Sequence, residues 1–456
     1  MPLRFSQFML SKLQSIIDSK KIAIFCVVVS SFVFQIWLHP KILLEGRFFA
    51  EEGSIWWANS LNSSIIEQIF FVPPLTGYFC GVTNLVVLVS NFLPIQMIPL
   101  ATSWISFIIQ LQVCVVYWHY SSHIRSKQRI LLLGIFLYSP IFFVSETFAN
   151  SINSQTFLGL IAAIFLFYWQ DPIGKYFKIY VYILLLLSFL SGWYGVILAP
   201  LYLVRLILGK KSNYKKSVVL SIFLCFVLQV AIYGYQKSHS LLWPEKDTLT
   251  FSFSLVISDA YSVLKSIPWI YPEDINLAKY LVLLLIFIVI SFCIKNSWQN
   301  SRKNLPNYVY LTSAFVLEYF LILAGDASPA PGLHGRYLII LVGILVFGLT
   351  NLIVEYVTSK ISFAILFFIF GVQLLMLGHG LNEYRLDPYV NCSDACLSWD
   401  ENIAGVQNGS LHAYYFWPQN KGVPDWAISS RNPKIRLAPF QASIMQVPQE
   451  RIPPLH

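Results

Sequence analysis

The stretch Ile22-Ala-Ile-Phe-Cys-Val-Val-Val-Ser-Ser-Phe-Val-Phe-Gln-Ile-Trp-Leu38 is apolar, carries no charged residue and follows Lys20 and Lys21. An apolar run of about this length crosses the hydrocarbon core of a bilayer as a helix. Similar runs recur along the 456 residues, which are 56% hydrophobic and 12% charged, whereas soluble domains are about 25% charged. The sequence therefore predicts an all-α polytopic membrane protein, with residues 22–38 as a retained signal anchor.

Apolar runs in the rest of the chain predict ten more spans, so about eleven transmembrane helices are expected. Lysine and arginine concentrate before residue 22 and in the loops at 119–129, 209–216 and 295–304. Because basic loops stay on the cytoplasmic side, the N-terminus and these loops are predicted to be cytoplasmic and the C-terminus to be outside. The further spans are predicted near 95–118, 129–146, 154–169, 178–191, 193–208, 217–235, 279–294, 306–323, 337–354 and 361–379.

The apolar stretch at 76–93 does not fit a simple count of crossings. If it crossed the membrane, the basic loop at 119–129 would lie outside. Gly77, Gly81 and Asn84 make it a weaker helix than its neighbours. We therefore expect it to dip into the outer leaflet, and one more crossing is the alternative.

The apolar block at 178–208 is interrupted by Ser191-Gly-Trp-Tyr-Gly195, and Pro200 follows. A block of about 30 residues is long for one span and short for two. Shortened helices that meet at a glycine-rich turn are tolerated where protein or a cavity shields the backbone. This break predicts a wet cavity on the outer side.

Spans and loops divide the chain into four regions. The cytoplasmic loops are short and have no nucleotide-binding motif, so any chemistry is predicted at the outer face. Short loops are typical of a bacterial inner membrane, which would place the C-terminus in the periplasm, where Cys392 and Cys396 could pair. The regions are a membrane module at 1–235 with an outer loop at 39–75, a long outer loop at 236–278, transmembrane helices at 279–380 and an external cap at 381–456.

Carboxylates cluster directly after the first span, in Glu45-Gly-Arg-Phe-Phe-Ala-Glu51-Glu52, although the whole chain has only 22 Asp and Glu residues. Charge held close to the hydrocarbon is costly and is usually functional. On a helix Glu51 and Glu52 point about 100° apart, so one could enter a cavity while the other meets water. One function of such a carboxylate is to take a proton from an acceptor hydroxyl. The alternative is an interfacial loop with solvated acids.

Two later outer loops hold further candidates. Asn150 and Asn153 suit hydrogen bonding to a sugar or phosphate, and equally suit a helix cap. Arg336, at the outer start of a span, could hold a phosphate through paired hydrogen bonds, or its side chain could extend to lipid headgroups. His334 could bind the same phosphate or transfer protons, and Asp326 opens this loop.

The order of these features resembles the GT-C class of membrane glycosyltransferases, which includes protein O-mannosyltransferases and aminoarabinose transferases. The resemblance covers roughly residues 20–280. The matching features are the acidic pair in Ala50-Glu51-Glu52-Gly53, the motif Pro73-Pro74-Leu75, a basic cytoplasmic loop, the break at Gly192–Gly195 and a long outer loop.

The resemblance implies a polyprenyl-phosphate-linked sugar as donor and transfer, usually with inversion, to a glycolipid, glycan or protein at the outer face. Glu51 would be the catalytic base, with Glu52 as the second candidate. Several relatives carry an aspartate where this chain offers asparagines, so a divalent metal is left open. By their positions in the outer loops, we predict Arg336, His334 and Arg47 as donor-phosphate residues, and Asn150, Asn153, Glu45 and Asp326 as substrate-binding residues.

Two other functions fit the composition. A flippase or transporter of lipid-linked glycans would favour ionisable residues within spans, of which there are few, such as Glu318 and Arg205. A glycan polymerase or ligase of the O-antigen type would instead use His334 and Arg336. Nucleic acid is not an expected partner, since the basic residues lie in short loops.

Overall fold

The computed structural model describes residues 20–48, 51–61, 63–73, 76–138, 148–239, 305–325, 335–357, 359–386, 398–411, 413–415 and 427–429. These residues are mostly helical, which confirms the predicted class of secondary structure. The helices are α1 (Lys20–Leu38), α2 (Ile65–Ile69), α3 (Gly81–Ser90), α4 (Ile98–Tyr120), α5 (Ser126–Leu137), α6 (Ser154–Tyr168), α7 (Lys175–Phe189), α8 (Trp193–Val196), α9 (Ala199–Leu208), α10 (Asn213–Ser238), α11 (Leu305–Gly325), α12 (Gly335–Tyr356), α13 (Ser359–Leu386) and α14 (Trp399–Gln407).

Several short elements complete the fold. Two π-helices, Lys41–Glu45 and Glu52–Trp57, follow α1, and the second continues as α-helix over Ala58–Ser60. Single 3₁₀ turns flank α4 at Ile95–Met97 and Ser121–His123. After α14, strands β1 (Ala413–Tyr415) and β2 (Ala427–Ser429) pair antiparallel, with Tyr414 opposite Ile428.

Within the described part of the chain, two helices are long and apolar enough to cross a membrane: Ile95–His123, which contains α4, and α10. The predicted count of eleven transmembrane helices is therefore not supported. Most predicted spans overlap a helix, but α5, α6, α7 and α9 are short. The 15 residues of α6, for example, rise about 22 Å, against about 30 Å of hydrocarbon. The predicted span at 279–294 lies outside the described residues.

Helix α6 forms the centre of the bundle. All of its 15 residues are buried, and α4, α7, α8, α11 and α12 pack around it. A helix that is apolar on every side has no face to give to water, so it becomes the core.

The two described basic loops lie at one end of the bundle. The ring of His119 stacks on Phe177 at 3.8 Å, and Lys215 lies 3.9 Å from Asp171. We call the turns 121–125, 169–174 and 209–212 the basic end. We call residues 39–48, 51–61 and 148–153, which lie near the start of α6, the acidic end. The basic loop at 295–304 lies outside the described residues.

The predicted dipping segment is a ten-residue helix, α3, which rises only about 15 Å. Cys80, just before it, forms an antiparallel bridge with Ser191 in the glycine-rich break. The side-chain oxygen of Gln229 on α10 accepts a hydrogen bond from the Phe79 backbone N–H at 2.8 Å, and its amide donates to the Phe79 carbonyl at 2.9 Å. Two interrupted segments thus satisfy their backbone groups inside the protein, as non-helical chain in an apolar setting requires.

The C-terminal element α14 packs on the acidic end. The ring of Trp399 contacts those of Phe48 and Trp57, each with centroids 5.4 Å apart. The Trp399 indole nitrogen donates a hydrogen bond to the Ile95 carbonyl at 2.8 Å. Cys392 and Cys396 lie outside the described residues, so their pairing stays a prediction.

Candidate functional site

The candidate site lies at the acidic end, where the chain that follows α1 meets the turn that precedes α6. Gly46 makes the first of these turns, with φ of +78°. A side chain there would place its Cβ 2.2 Å from the backbone nitrogen of Leu100 on α4. Only glycine allows this close approach, so Gly46 fixes how Arg47 and Phe48 enter the bundle.

Glu52 is buried and bonded to the second turn. Its side chain is 1% exposed, and its Oε1 accepts a hydrogen bond from the backbone N–H of Ser151 at 2.9 Å. The Ser151 hydroxyl donates to the same oxygen. Hydrogen bonds to an ionised carboxylate are about twice as strong as neutral ones, so Glu52 holds the two turns together.

Arg47 reaches the opposite side of the same turn. It is 5% exposed, and its Nη2 donates a hydrogen bond to the carbonyl of Phe148 at 3.2 Å. The Ser103 hydroxyl on α4 donates to the Arg47 carbonyl at 3.4 Å. A cation and a carboxylate of the first loop therefore bind the four residues 148–151 from both ends.

The turn itself is held in an uncommon conformation. Ala149 has φ of +51°, which is rare for a residue with a side chain. The amide of Gln110, in the middle of α4, accepts from the Ala149 N–H at 3.1 Å and donates to the Asn150 carbonyl at 3.4 Å. Strained backbone of this kind persists where the surroundings fix it, and it concentrates at functional sites.

The turn is recessed in the bundle. Gln110 lies 12 residues after the start of α4 at Ile98, a rise of about 18 Å. Because Gln110 contacts Ala149 and Asn150, the turn lies well below that end of α4. Charged groups placed there are shielded from water, and their interactions with a ligand are correspondingly stronger.

His39 borders the site but contributes no charge. Its ring stacks on Phe148 with centroids 3.7 Å apart. Burial, followed by the nearby Arg47 guanidinium, lowers the pKa of His39 well below its usual value. The imidazole is therefore neutral at pH 7, and Arg47 is the cation that borders this turn.

Glu51 and Glu52 occupy different environments, as the expected angle between neighbouring helical residues requires. Glu51 is half-buried, whereas Glu52 is buried and bonded to Ser151. The carboxylate of Glu51 is therefore the more accessible of the two. Its role as a base stays a prediction, and so does that of Glu52.

Asn150 and Asn153 take structural positions. The Asn150 Oδ1 accepts from the backbone N–H groups of Ile152 at 2.9 Å and Asn153 at 3.4 Å, which forms the turn before α6. Asn153 is the residue that precedes α6. Asn153 occupies the N-cap position but forms no side-chain capping hydrogen bond, so the turn-forming role belongs to Asn150. Substrate binding by either side chain stays a prediction. Glu45 is exposed at the end of the first π-helix.

The structure describes little of the remaining predicted residues. Asp326 and His334 lie outside the described residues, and only the backbone of Arg336 is described, as the second residue of α12. Among the described residues, no group of three His, Cys, Asp or Glu side chains is placed to hold a metal ion. The donor-phosphate roles of His334 and Arg336 stay predictions.

Sequence reasoning missed three residues of the site: Ser151, Gln110 and His39. The sequence alone could have identified Gln110, because an amide in the middle of an apolar run needs a hydrogen-bond partner. Ser151 gave no such indication, since a serine before a helix is typical of a cap. No protein-family model matches the chain, and no curated protein is significantly similar to it.

Proposed function

We propose that the chain is a multi-pass membrane glycosyltransferase that moves a sugar from a polyprenyl-phosphate donor to an acceptor at the acidic end. The observation that carries the proposal is the recessed turn 148–151, bound by buried Arg47 and buried Glu52 beside half-buried Glu51. Charges are expensive to bury, and a structural turn does not need two of them. A transfer reaction would use Arg47 to stabilise the charge that develops on the leaving phosphate, and Glu52 to hold the turn in place beside Glu51.

An apolar exposed surface supports the membrane location. On α10, Leu220, Leu224 and Val227 are each more than 60% exposed and lie on one face of the helix. Large apolar residues in such a row are typical of contact with lipid tails rather than water. We place this helix and its neighbours in a bacterial inner membrane, with the basic end in the cytoplasm and the acidic end and C-terminus in the periplasm.

In the proposed reaction, Glu51 takes the proton from an acceptor hydroxyl. The acceptor oxygen forms a bond to the anomeric carbon as the bond from that carbon to the phosphate oxygen breaks, with inversion. Polyprenyl phosphate leaves with the electron pair, and Arg47 stabilises its charge, together with Arg336 and His334. Glu52 positions the turn through Ser151.

Glu51→Gln tests this mechanism because the amide keeps the shape and loses the base. We expect the transfer rate from a radiolabelled polyprenyl-phosphate sugar to fall about 100-fold or more, as removal of a general base requires. Glu67→Gln is the matched control in the same outer loop, where the side chain is exposed and glutamine can keep the capping box of α2, and it should keep the parental rate. Full activity in Glu51→Gln would sink the mechanism.

Transport of a lipid-linked glycan is the second candidate, and Glu318 favours it. This residue of α11 is fully buried, and in the described part of the chain no donor reaches either carboxylate oxygen. An ionisable residue in that setting is a functional candidate. The test is movement of a labelled lipid-linked glycan across the bilayer of proteoliposomes. Transport is the function if the parent moves the glycan without transferring sugar and Glu318→Gln loses this movement.

The polymerase or ligase alternative predicts that Arg336→Ala abolishes activity while Glu51→Gln keeps it.

A further inference from the structure

Helix α2 exposes large apolar side chains, although it is only five residues long. Ile66 is 70% exposed, and Phe70, the residue after the helix, is 69% exposed. These two residues are four positions apart and therefore lie on one side of the helix. Ile65 adds to the exposed apolar surface at 46%. We call Ile65, Ile66 and Phe70 the α2 face. A cluster of this kind on a short helix indicates a surface that an apolar partner covers.

The rest of the protein holds α2 firmly with this face outward. The Nδ2 of Asn84 on α3 donates hydrogen bonds to the carbonyls of Ile69 at 3.1 Å and of Phe71 at 2.8 Å. On the inner side of α2, the Oε1 of buried Gln68 accepts a hydrogen bond from the Nδ2 of Asn59 at 3.0 Å. Asn59 lies in the turn that continues the second π-helix of the acidic end. Helix α2 is therefore bonded to the loop that forms the candidate site.

The exposed side of α10 shows where a membrane would lie along the bundle. This helix is apolar and long enough to cross a bilayer, and all of its exposed side chains from Leu220 to Val230 are apolar. Lys216 precedes this apolar row, and Tyr235 and Lys237 follow it, all three exposed. Lysine and tyrosine at the ends of an apolar row are typical of the two membrane interfaces. The stretch from Lys216 to Lys237 rises about 32 Å, close to the roughly 30 Å of hydrocarbon.

A buried glutamine of α10 binds the chain after α2 at the outer end of this apolar row. The Oε1 of Gln236 accepts a hydrogen bond from the Gly77 backbone N–H at 2.7 Å, and its amide donates to the Pro73 carbonyl at 3.0 Å. Gln236 lies between the exposed tyrosine and lysine that end the row. Phe71 precedes Pro73 by two residues, which span at most about 7 Å. The end of α2 is therefore close to the outer boundary of the hydrocarbon.

Helix α14, which packs on the acidic end, has the same kind of start and the opposite kind of surface. Ser398 forms a capping box at its start, as Ser64 does for α2. The exposed residues of α14 are Asp400, Glu401, Ala404 and Gln407. These side chains are polar or small, as contact with water favours. The difference between two similarly capped helices indicates that α2 meets lipid and α14 meets water.

We infer that α2 lies in the outer leaflet of the membrane, with the α2 face among phospholipid acyl chains and Glu67 at the level of the headgroups. Helices of this kind bury their apolar face about 5–10 Å into the boundary between headgroups and acyl chains. The bond between Asn59 and Gln68 then connects this membrane anchor to the loop that carries Glu51 and Glu52. This placement rests on the membrane location proposed above, and it names the part of the outer loop that contacts lipid.

Photo-crosslinking of the purified full chain in phospholipid nanodiscs tests this placement. The photoreactive residue p-benzoylphenylalanine replaces Phe70, Leu224 or Gln407, one position at a time. Leu224, 63% exposed on α10, is the lipid control, and exposed Gln407 on α14 is the water control. Intact mass spectrometry then measures the fraction of chains that carry one phospholipid after irradiation. We expect position 70 to give at least about ten times the lipid adduct of position 407.

The two controls separate failure of this inference from failure of the membrane location. Lipid adduct at position 224 without adduct at position 70 would overturn the inference and leave the membrane location standing. No lipid adduct at either position would overturn both. Equal yields at positions 70 and 407 would show that α2 lies no deeper than α14, and the inference would be wrong. A cross-link from position 70 to another part of the chain in place of lipid would show that protein covers the α2 face.

A double variant measures the contact with lipid. Ile66→Ser combined with Phe70→Ser changes only exposed positions, so the bundle does not need these side chains to fold. If acyl chains cover them, the thermal unfolding midpoint in nanodiscs should fall by about 3 °C. Ala404→Ser combined with Gln407→Ser on α14 is the control, and it should leave the midpoint unchanged. A fall no larger than that of the control would overturn the inference, because the α2 face would then lie in water.

Discussion

Glu52 and Glu318 are both buried glutamates, and the protein surrounds them in opposite ways. Glu52 is 1% exposed and accepts two hydrogen bonds from Ser151. Glu318 is 0% exposed, and no donor in the described part of the chain reaches its carboxylate. Burial therefore does not define a site by itself. Glu52 is part of the hydrogen-bonded framework of the acidic end, whereas the carboxyl group of Glu318 has no hydrogen-bond donor among the described residues.

Glu52→Leu should give the largest effect. Leucine fills a similar volume but leaves the backbone N–H and hydroxyl of Ser151 without their acceptor. Each buried donor that loses its partner costs about 1–3 kcal/mol, so the free energy of unfolding should fall by about 3 kcal/mol. Denaturant unfolding of the purified protein in detergent measures this. A stability equal to that of the parent would mean that Glu52 does not hold the two turns together.

The expectations from sequence were most accurate where chemistry is local. Most described helices lie on predicted apolar runs, although α2 and α14 do not. The acids after α1 and the amides before α6 were expected on one face. The bond from Ser151 to Glu52 links residues 99 positions apart, and no local pattern encodes such a pair. The predicted lengths of the helices beside the glycine-rich break were wrong for a related reason. The backbone at Cys80 and Ser191 pairs inside the bundle, so the chain can be interrupted there and the neighbouring helices α3 and α7 are short.

The packing around Phe165 shows the same limit. Tyr120, Trp169 and Tyr214 are unremarkable in a chain with 16% aromatic residues. Only their packing around Phe165 shows that the polar atoms of all three lack partners among the described residues. Sequence gives the inventory of hydrogen-bond donors, whereas the fold decides which of them are satisfied.

Gly46→Ala tests whether packing against α4 fixes the loop that carries Glu52. Gly174 is the control, because its φ of +86° resembles the +78° of Gly46, but a Cβ there would meet nothing within 4 Å. Both substitutions carry the cost of the backbone conformation. Only Gly46→Ala drives a Cβ into the Leu100 backbone, so it should destabilise by about 2 kcal/mol more. Equal thermal unfolding midpoints for the two variants would show that the contact between Gly46 and α4 does not fix the position of the loop.

Glu318→Leu should have the opposite sign from Glu52→Leu. A carboxyl group without hydrogen bonds in an apolar interior is destabilising, and an apolar residue of similar volume removes that cost. We expect the free energy of unfolding to rise by about 1 kcal/mol, measured by denaturant unfolding beside Glu52→Leu. A loss of stability instead would show that the carboxyl group has a partner. If stability rises while transport or transfer is lost, Glu318 is kept for function.

The smallest effect concerns pH, through His39 beside Arg47. Burial and the Arg47 charge lower the pKa of His39 in the folded protein, whereas the unfolded chain protonates near its ordinary value of about 6.5. The unfolded state therefore binds more protons as the pH falls, and stability decreases below that value. For this group alone the loss from pH 7 to pH 6 is about 0.7 kcal/mol. His39→Phe removes the titrating group and keeps a ring to stack on Phe148. The parent should lose more stability than this variant between pH 7 and pH 6. Identical losses would mean that the pKa of His39 is the same in the folded and unfolded states. A smaller loss in the parent than in the variant would mean that His39 is protonated in the folded protein, and the acidic end would then hold a second cation beside Arg47.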